Sequence, residues 1–284
     1  MIVWLASYPK SGNTWVRLFL EDLLSSKNKD SNLNKKNKIY QYPLKMHFQE
    51  LVNNFNNIQE ISKNWSISQN RINLKKNITF FKTHHLCCEI NGNNFTNLNN
   101  SLGVIHIIRD PRNVITSIKN HYDKKKYTDA LDFMTDKYHC IDVENTSHNN
   151  LDKRQILNTL VSSWNNHYNS WKNFPKNYFC LKYEDLIKDP EKSFIELSEY
   201  VSEVLRISIN KDKVKEISEK LDFEKLKRHE EINGFEEASV TKEGNKKIFF
   251  NLGKKNNWEE ILESKIRHEI ERKFEKEMKE IGYL

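Results

Sequence analysis

Between Ile2 and Leu24 the chain passes from a short apolar run to a helical stripe across one tight turn, and few folds accommodate such a junction. Ile2 to Leu5 contains branched residues and is bounded by small and turn-forming ones, which predicts a strand. From Val16 the apolar positions Val16, Leu18, Phe19, Leu20, Leu23 and Leu24 recur at helical spacing, which predicts a helix. The joining loop is Ser7-Tyr8-Pro9-Lys10-Ser11-Gly12-Asn13-Thr14-Trp15. A loop of this kind aims successive backbone N–H groups and the positive end of a helix at one spot, and Lys10 adds a full charge there. It predicts an anion site, with phosphate as the natural guest.

Set against the nucleotide loop G-x-x-x-x-G-K-[ST], the stretch reads Ser7-x-x-x-x-Gly12-Asn13-Thr14. Asn13 stands where the lysine of that loop belongs, and Lys10 lies inside the loop instead. The shift points the cation toward a bridging or leaving oxygen near the 5′ end of a nucleotide and away from a γ-phosphate. Trp15 offers a flat face for a base. Tyr-Pro-Lys-Ser-Gly-x-Thr-Trp resembles the 5′-phosphosulfate loop of cytosolic-type sulfotransferases that use 3′-phosphoadenosine 5′-phosphosulfate (PAPS). The resemblance implies cofactor contacts from Lys10, Ser11, Gly12, Asn13, Thr14 and Trp15.

Further segments extend the likeness. Ile78 to Phe81 predicts a second strand, running into Lys82-Thr83-His84. Ligands collect outside the carboxyl ends of parallel strands, so Lys82 and His84 are expected to share a crevice with Lys10. A histidine there, neutral near its ordinary pKa of about 6.5, can take a proton from an acceptor hydroxyl, and Lys82 can steady a departing phosphate. The Lys-Thr-His triplet is similar to the sulfotransferase segment that holds the general base. His85 is the competitor, because successive residues leaving a strand point to opposite sides.

Gly103 to Ile108 is a third strand, ending at Arg109-Asp110-Pro111, and Pro111 suits the first turn of a helix continued by Val114, Ile115 and Ile118. Arg109 and Ser117, eight apart, resemble the family's pair for the 3′-phosphate, a guanidinium fork beside a hydroxyl. Arg109 paired with Asp110, and Ser117 as a cap or a solvated residue, are the structural alternatives. Tyr183 in Tyr183-Glu184-Asp185 looks like the family's adenine tyrosine, and Phe223 falls at another adenine position, although Leu221 stands where that family has threonine. Both aromatics also suit a core. Aligned on Trp258, the family's Arg-Lys-Gly element becomes Asn251, Leu252 and Gly253, so two cations are missing; Lys254, Lys255 or backbone N–H groups are the available substitutes.

The remaining segments give coarser expectations. A stripe from Met46 to Trp65 predicts a helix near the substrate side, and Ile156 to Trp171 predicts a second one. Residues 25–38 and 91–100 read as loops, and 119–150 as a long loop with a short helix at Ala130 to Met134. Tyr178 to Tyr183 predicts a strand, and a helix is expected from Pro190. The end of the sequence predicts a charged amphipathic helix without sustained heptads.

With 284 residues the chain is large enough for one sizeable core, and one domain over 1–284 is expected. The four cysteines have neither disulfide-framework nor zinc spacing, no apolar run approaches a membrane span, and the first strand opens at Ile2, so a soluble, cytoplasmic protein is expected. The net charge of +7 suits anionic ligands, but the lysines are scattered among acids, which argues against nucleic-acid binding. The combined expectation is a single α/β sulfotransferase domain, with a mainly parallel sheet flanked by helices and related to P-loop folds. In that reading His84, Lys10 and Lys82 act on a small-molecule acceptor, PAPS yields 3′-phosphoadenosine 5′-phosphate (PAP), and no metal is needed. A P-loop nucleotide kinase or a non-catalytic nucleotide-binding protein is the alternative; acceptor and oligomeric state stay open.

Overall fold

The computed structural model describes residues 1–25, 39–141, 157–235, 237–238 and 247–284. In chain order, β1 (Ile2–Ser7) leads through the loop into α1 (Asn13–Leu24), and β2 (Tyr40–Gln41) is a short edge strand. Next come α2 (Ile58–Lys63), α3 (Trp65–Asn73) and β3 (Thr79–Thr83), then a small hairpin of β4 (Glu89–Ile90) and β5 (Asn93–Asn94). β6 (Ser101–Ile108) feeds α4 (Pro111–His121), whose Asp110 caps the first turn by accepting from the Arg112 N–H. Beyond it lie α5 (Tyr127–Thr135) and the antiparallel pair β7 (Cys140–Ile141) and β8 (Thr159–Leu160). After α6 (Trp164–Lys172) and β9 (Tyr178–Lys182) the chain is helical through α7 (Tyr183–Lys188), α8 (Pro190–Leu205), α9 (Lys211–Lys220) and α10 (Phe223–Asn233). Near the end stand α11 (Trp258–Ile261) and α12 (Ser264–Ile281).

The central sheet has the order β2-β3-β1-β6-β9, and all its pairings are parallel. Alternate residues of β1 serve opposite faces. Val3 and Leu5 pack with α1 and α8 through Phe19, Phe194 and Leu197, whereas Ile2, Trp4 and Ala6 join Tyr42, Trp65, Phe95 and Trp171. Both faces of a parallel sheet must be covered, which is why its strands read as nearly continuous apolar runs. A third cluster joins α4, α5 and α6 to α12 through Ile115, Met134, Trp164 and Phe274. Among the described residues no helix is long and apolar enough to cross a membrane.

Several segments differ from the sequence reading. The stripe at 46–65 is not one helix: a short 3-10 turn covers Lys45–Phe48, and α2 and α3 begin later. Asparagine side chains compete with the backbone here, since Asn57 accepts from the Gln59 and Glu60 N–H groups and so starts a new helix. α6 starts at Trp164, because Ser162 adopts a left-handed φ of 64° and β8 precedes it; Ile156 lies outside the described residues. The segment 91–100 contains half of the β4–β5 hairpin, and the helix inside 119–150 is longer than expected, over Tyr127–Thr135. Tyr183 opens α7 instead of ending β9. Residues 26–38 and 142–150 lie outside the described residues.

Candidate functional site

The loop after β1 turns through two left-handed positions, Lys10 at φ 66° and Gly12 at φ 99°. Gly12 is also the N-cap of α1, and a Cβ there would come within 2.5 Å of Tyr183 Cδ2. Glycine is therefore required both by conformation and by the close approach of a ring. Gly12→Ala is expected to destabilise the protein by about 1–3 kcal/mol as Tyr183 is forced aside; a parental urea midpoint would show that the ring yields freely.

Side chains pin the loop from behind. Asn13 Nδ2 donates to the Leu5 carbonyl at 3.2 Å and to Ser7 Oγ at 3.1 Å, which ties the start of α1 to β1. Ser11 Oγ is buried without a hydrogen-bond partner and borders a small internal void beside Tyr8, His106 and His167, away from the main cavity. Thr14 Oγ1 donates to Glu237 Oε2 at 2.8 Å, and Arg17 pairs with the other oxygen of that carboxylate.

A cavity of about 510 Å³ opens at the carboxyl ends of β1, β3 and β6. In this sheet β3 lies on one side of β1 and β6 on the other, the reversal at which open α/β sheets collect ligands. Lys10, Lys82 and His84 all line it. Lys10 Nζ lies 4.1 Å from the centre of the Phe249 ring and 3.5 Å from His121 Nδ1. Burial lowers its pKa to about 7, the charges of Arg109 and Lys82 push the same way, and Glu237 opposes them. Burial likewise lowers the pKa of Lys82, with Glu237 again opposing.

His84 is oriented by the strand next to its own. Its Nδ1 is 2.7 Å from the Ser7 carbonyl and 3.2 Å from Ser7 Oγ. A carbonyl oxygen can only accept, so Nδ1 carries the proton and Nε2 of the neutral ring holds a lone pair. His85 goes elsewhere: it is buried, stacked on Phe95 at 4.4 Å between centroids, and burial lowers its pKa to about 4. The two histidines thus part to opposite sides, as expected from their succession.

The far end of the cavity is built by α4, α7 and the segment before α11. Arg109 Nη1 donates to the Lys10 carbonyl at 2.9 Å and to Ser117 Oγ at 3.2 Å, and its guanidinium sits 4.1 Å from the centre of the Tyr183 ring. Its Nε is buried without a hydrogen-bond partner. Asp110, the alternative partner, is taken by Arg112 at 2.7 Å. Tyr183, Phe223, Asn251, Leu252 and Gly253 also line the cavity, and a Cβ on Gly253 would meet Phe223 Cε1 at 2.3 Å. Lys254 and Lys255 are exposed and are not among the lining residues. Trp15 lines the cavity too, but its indole is held edge-on by Tyr183, Phe194 and Phe223 and donates to the Leu221 carbonyl at 2.8 Å. It is a wall within an aromatic cluster, not the free flat face expected from sequence.

Asn256, His121 and Glu237 are among the lining residues that the sequence reading did not name. Asn256 Nδ2 donates to the Asn113 carbonyl at 2.9 Å and to Ser117 Oγ at 3.2 Å, fastening the last segment onto α4. His121 was detectable, since it follows Ser117 by four residues and shares its face of α4. Glu237 offered no signal, because its contacts with Thr14 and Arg17 are purely tertiary.

The model of the sulfotransferase domain matches residues 2–282. No curated protein matches the chain. Among solved structures, the mouse sulfotransferase SULT7A1 complexed with PAP is 18% identical, with a TM-score of 0.53, over 97% of this chain and 83% of the other. Retinol dehydratase in complex with androsterone and inactive cofactor PAP is 18% identical, with a TM-score of 0.56, over 98% and 80%. The complex of retinol dehydratase with retinol and PAP is 17% identical, with a TM-score of 0.58, over 98% and 81%. At these identities the likeness establishes the α/β fold.

Proposed function

The chain belongs to the sulfotransferase domain family, and from that premise we propose that it transfers the sulfuryl group of PAPS to a hydroxyl or amine of a small-molecule acceptor, with residues 1–284 acting as one domain. The observation that carries this reading is the convergence of Lys10, Lys82 and His84 on one cavity, beside a left-handed loop at a helix N-terminus. The cavity residues fit the donor. The buried Nε of Arg109 lacks a partner, Ser117 Oγ stands within reach of the same guanidinium, and both suit phosphate oxygens. Loop amides from Lys10 to Thr14 suit the 5′ end, and Tyr183 and Phe223 suit the adenine. Asn251, Leu252 and Gly253 offer backbone groups in place of the two missing cations, and Asn256 holds that segment against Ser117.

When bound, PAPS supplies the sulfuryl group and leaves as PAP. His84 Nε2 takes the proton of the acceptor, its ring fixed by the Ser7 carbonyl. Lys10 and Lys82 set positive charge where the departing oxygen becomes negative, and their burial leaves that charge little screened. Thr14 Oγ1, which donates to Glu237, would serve the anion on giving up that contact, with Arg17 holding the carboxylate.

Calorimetric titration with PAP in the absence of magnesium tests the reading. The parent is expected to bind, and Arg109→Ala to bind roughly tenfold to a hundredfold more weakly, the worth of hydrogen bonds to a charged group. Preference for magnesium-ATP over PAP would favour the kinase reading, and no PAP binding by the parent would remove the proposal.

A further inference from the structure

We propose that the acceptor is a polyhydroxylated anion, a carbohydrate-like molecule bearing carboxylate or sulfate groups, and that Lys119 and Lys124 recognise its charge. The inference rests on the reading of this cavity as the sulfotransferase site and concerns the part left over when the donor residues are set aside. That part is walled by the last turn of α4 and the residues after it, Lys119 through Lys124, facing Lys247 to Phe249. Gln41 and Thr159 add polar groups from two strands.

The apolar groups of the wall, Tyr122, Ile141, Ile248 and Phe249, are interleaved with cations: Lys10 Nζ lies 4.1 Å from the Phe249 ring centre, and Ile248 is 51% exposed. Placing a steroid or naphthyl ring against these residues would strip water from several cations and return no hydrogen bonds, a costly exchange. A polyol answers the same groups with hydroxyls that both donate and accept.

Charge bookkeeping gives the sign. Two carboxylates line the cavity, and each is matched. Asp123 Oδ1 accepts from Lys247 Nζ at 2.7 Å, and Glu237 pairs with Arg17. Lys10 and Lys82 answer the leaving phosphate. Lys119 and Lys124 then remain, half-buried and with no carboxylate partner among the described residues; Lys119 Nζ sits 5.4 Å from the Tyr127 ring centre. Two such cations beside the acceptor space favour an acceptor with negative charge, through both encounter rate and charge-assisted hydrogen bonds.

The test uses the full chain with radiolabelled PAPS and three acceptors: a glucuronate-bearing tetrasaccharide, the same tetrasaccharide with its carboxyls reduced to alcohols, and 2-naphthol. The expected order of kcat/KM is charged saccharide, then reduced saccharide, then 2-naphthol, with at least about a tenfold step for the charge. In Lys119→Ala/Lys124→Ala the ratio of charged to reduced saccharide is expected to fall toward one, while PAP affinity measured by calorimetry stays within about twofold. Equal or better turnover of 2-naphthol, no turnover of either saccharide by a PAP-binding parent, or a double variant that loses PAP affinity along with acceptor would each overturn the inference and leave the donor site standing. Failure of the parent to bind PAP would overturn the reading beneath it.

Discussion

Lys10→Ala is expected to lower kcat by about 100-fold or more, the typical cost of removing one preorganised charge from the point where an oxyanion develops. The same residue gives nucleotide binding a pH dependence whose sign follows from its surroundings. Burial holds the free protein's Lys10 near a pKa of about 7, with Arg109 and Lys82 adding to the shift. A bound bisphosphate raises that pKa, so binding takes up a proton. Affinity is then fully present below the free pKa and is lost as pH rises from about 7 toward the pKa of the complex, by at most about tenfold per unit for one proton. Lys82 is shifted in the same direction. Titration of PAP between pH 7.5 and 9 avoids the ligand's own phosphate ionisation near pH 6. In two buffers of different ionisation enthalpy it should reveal proton uptake in the parent and a shallower slope in Lys10→Ala. Equal slopes would mean that Lys10 keeps its charge throughout.

The second large effect belongs to His84. His84→Ala is expected to reduce turnover by about 10²- to 10⁴-fold, the range for a positioned general base, with PAP affinity within about twofold of the parent. The separation follows from geometry, since the imidazole is held by Ser7 and not by the Arg109 and Ser117 pair. His85→Ala, by contrast, removes a ring stacked in the core against Phe95 and should act on stability. Turnover surviving in His84→Ala would end the assignment of that residue as base.

What the sequence disclosed depended on how local each feature is. The strands β1, β3 and β6 were visible because strands covered on both faces are apolar nearly throughout, and the edge strand β9 through its run of Tyr, Phe and Leu; each is bounded by turn chemistry. The loop after β1 was visible because its left-handed turns and the start of α1 constrain consecutive residues. The helix expected over 46–65 failed where Glu60 accepts from the Asn53 and Asn54 N–H groups and Asn57 caps α2, so side chains took over hydrogen bonds that a continuous helix would have made. Glu237 and Asn256 were invisible for another reason. Each enters the site through contacts with residues far away in sequence, Thr14 and Arg17 for one and Ser117 for the other, and periodicity does not encode such meetings.

The segment from Trp258 to Tyr283 meets the R-D-P-R turn. Arg112 Nη2 donates to the Tyr283 carbonyl at 2.7 Å, Tyr283 Oη donates to Glu184 at 2.7 Å, and the Arg112 guanidinium lies 3.9 Å from the Trp258 ring centre. On the ribosome the loop after β1 is therefore made well before the opposite wall of the cavity. Contacts of such long sequence separation form late, because loop closure must precede them. A chain synthesised only as far as β9 will hold the strands around β1 but not nucleotide, and resistance to proteolysis conferred by PAP should arise only when α12 has emerged.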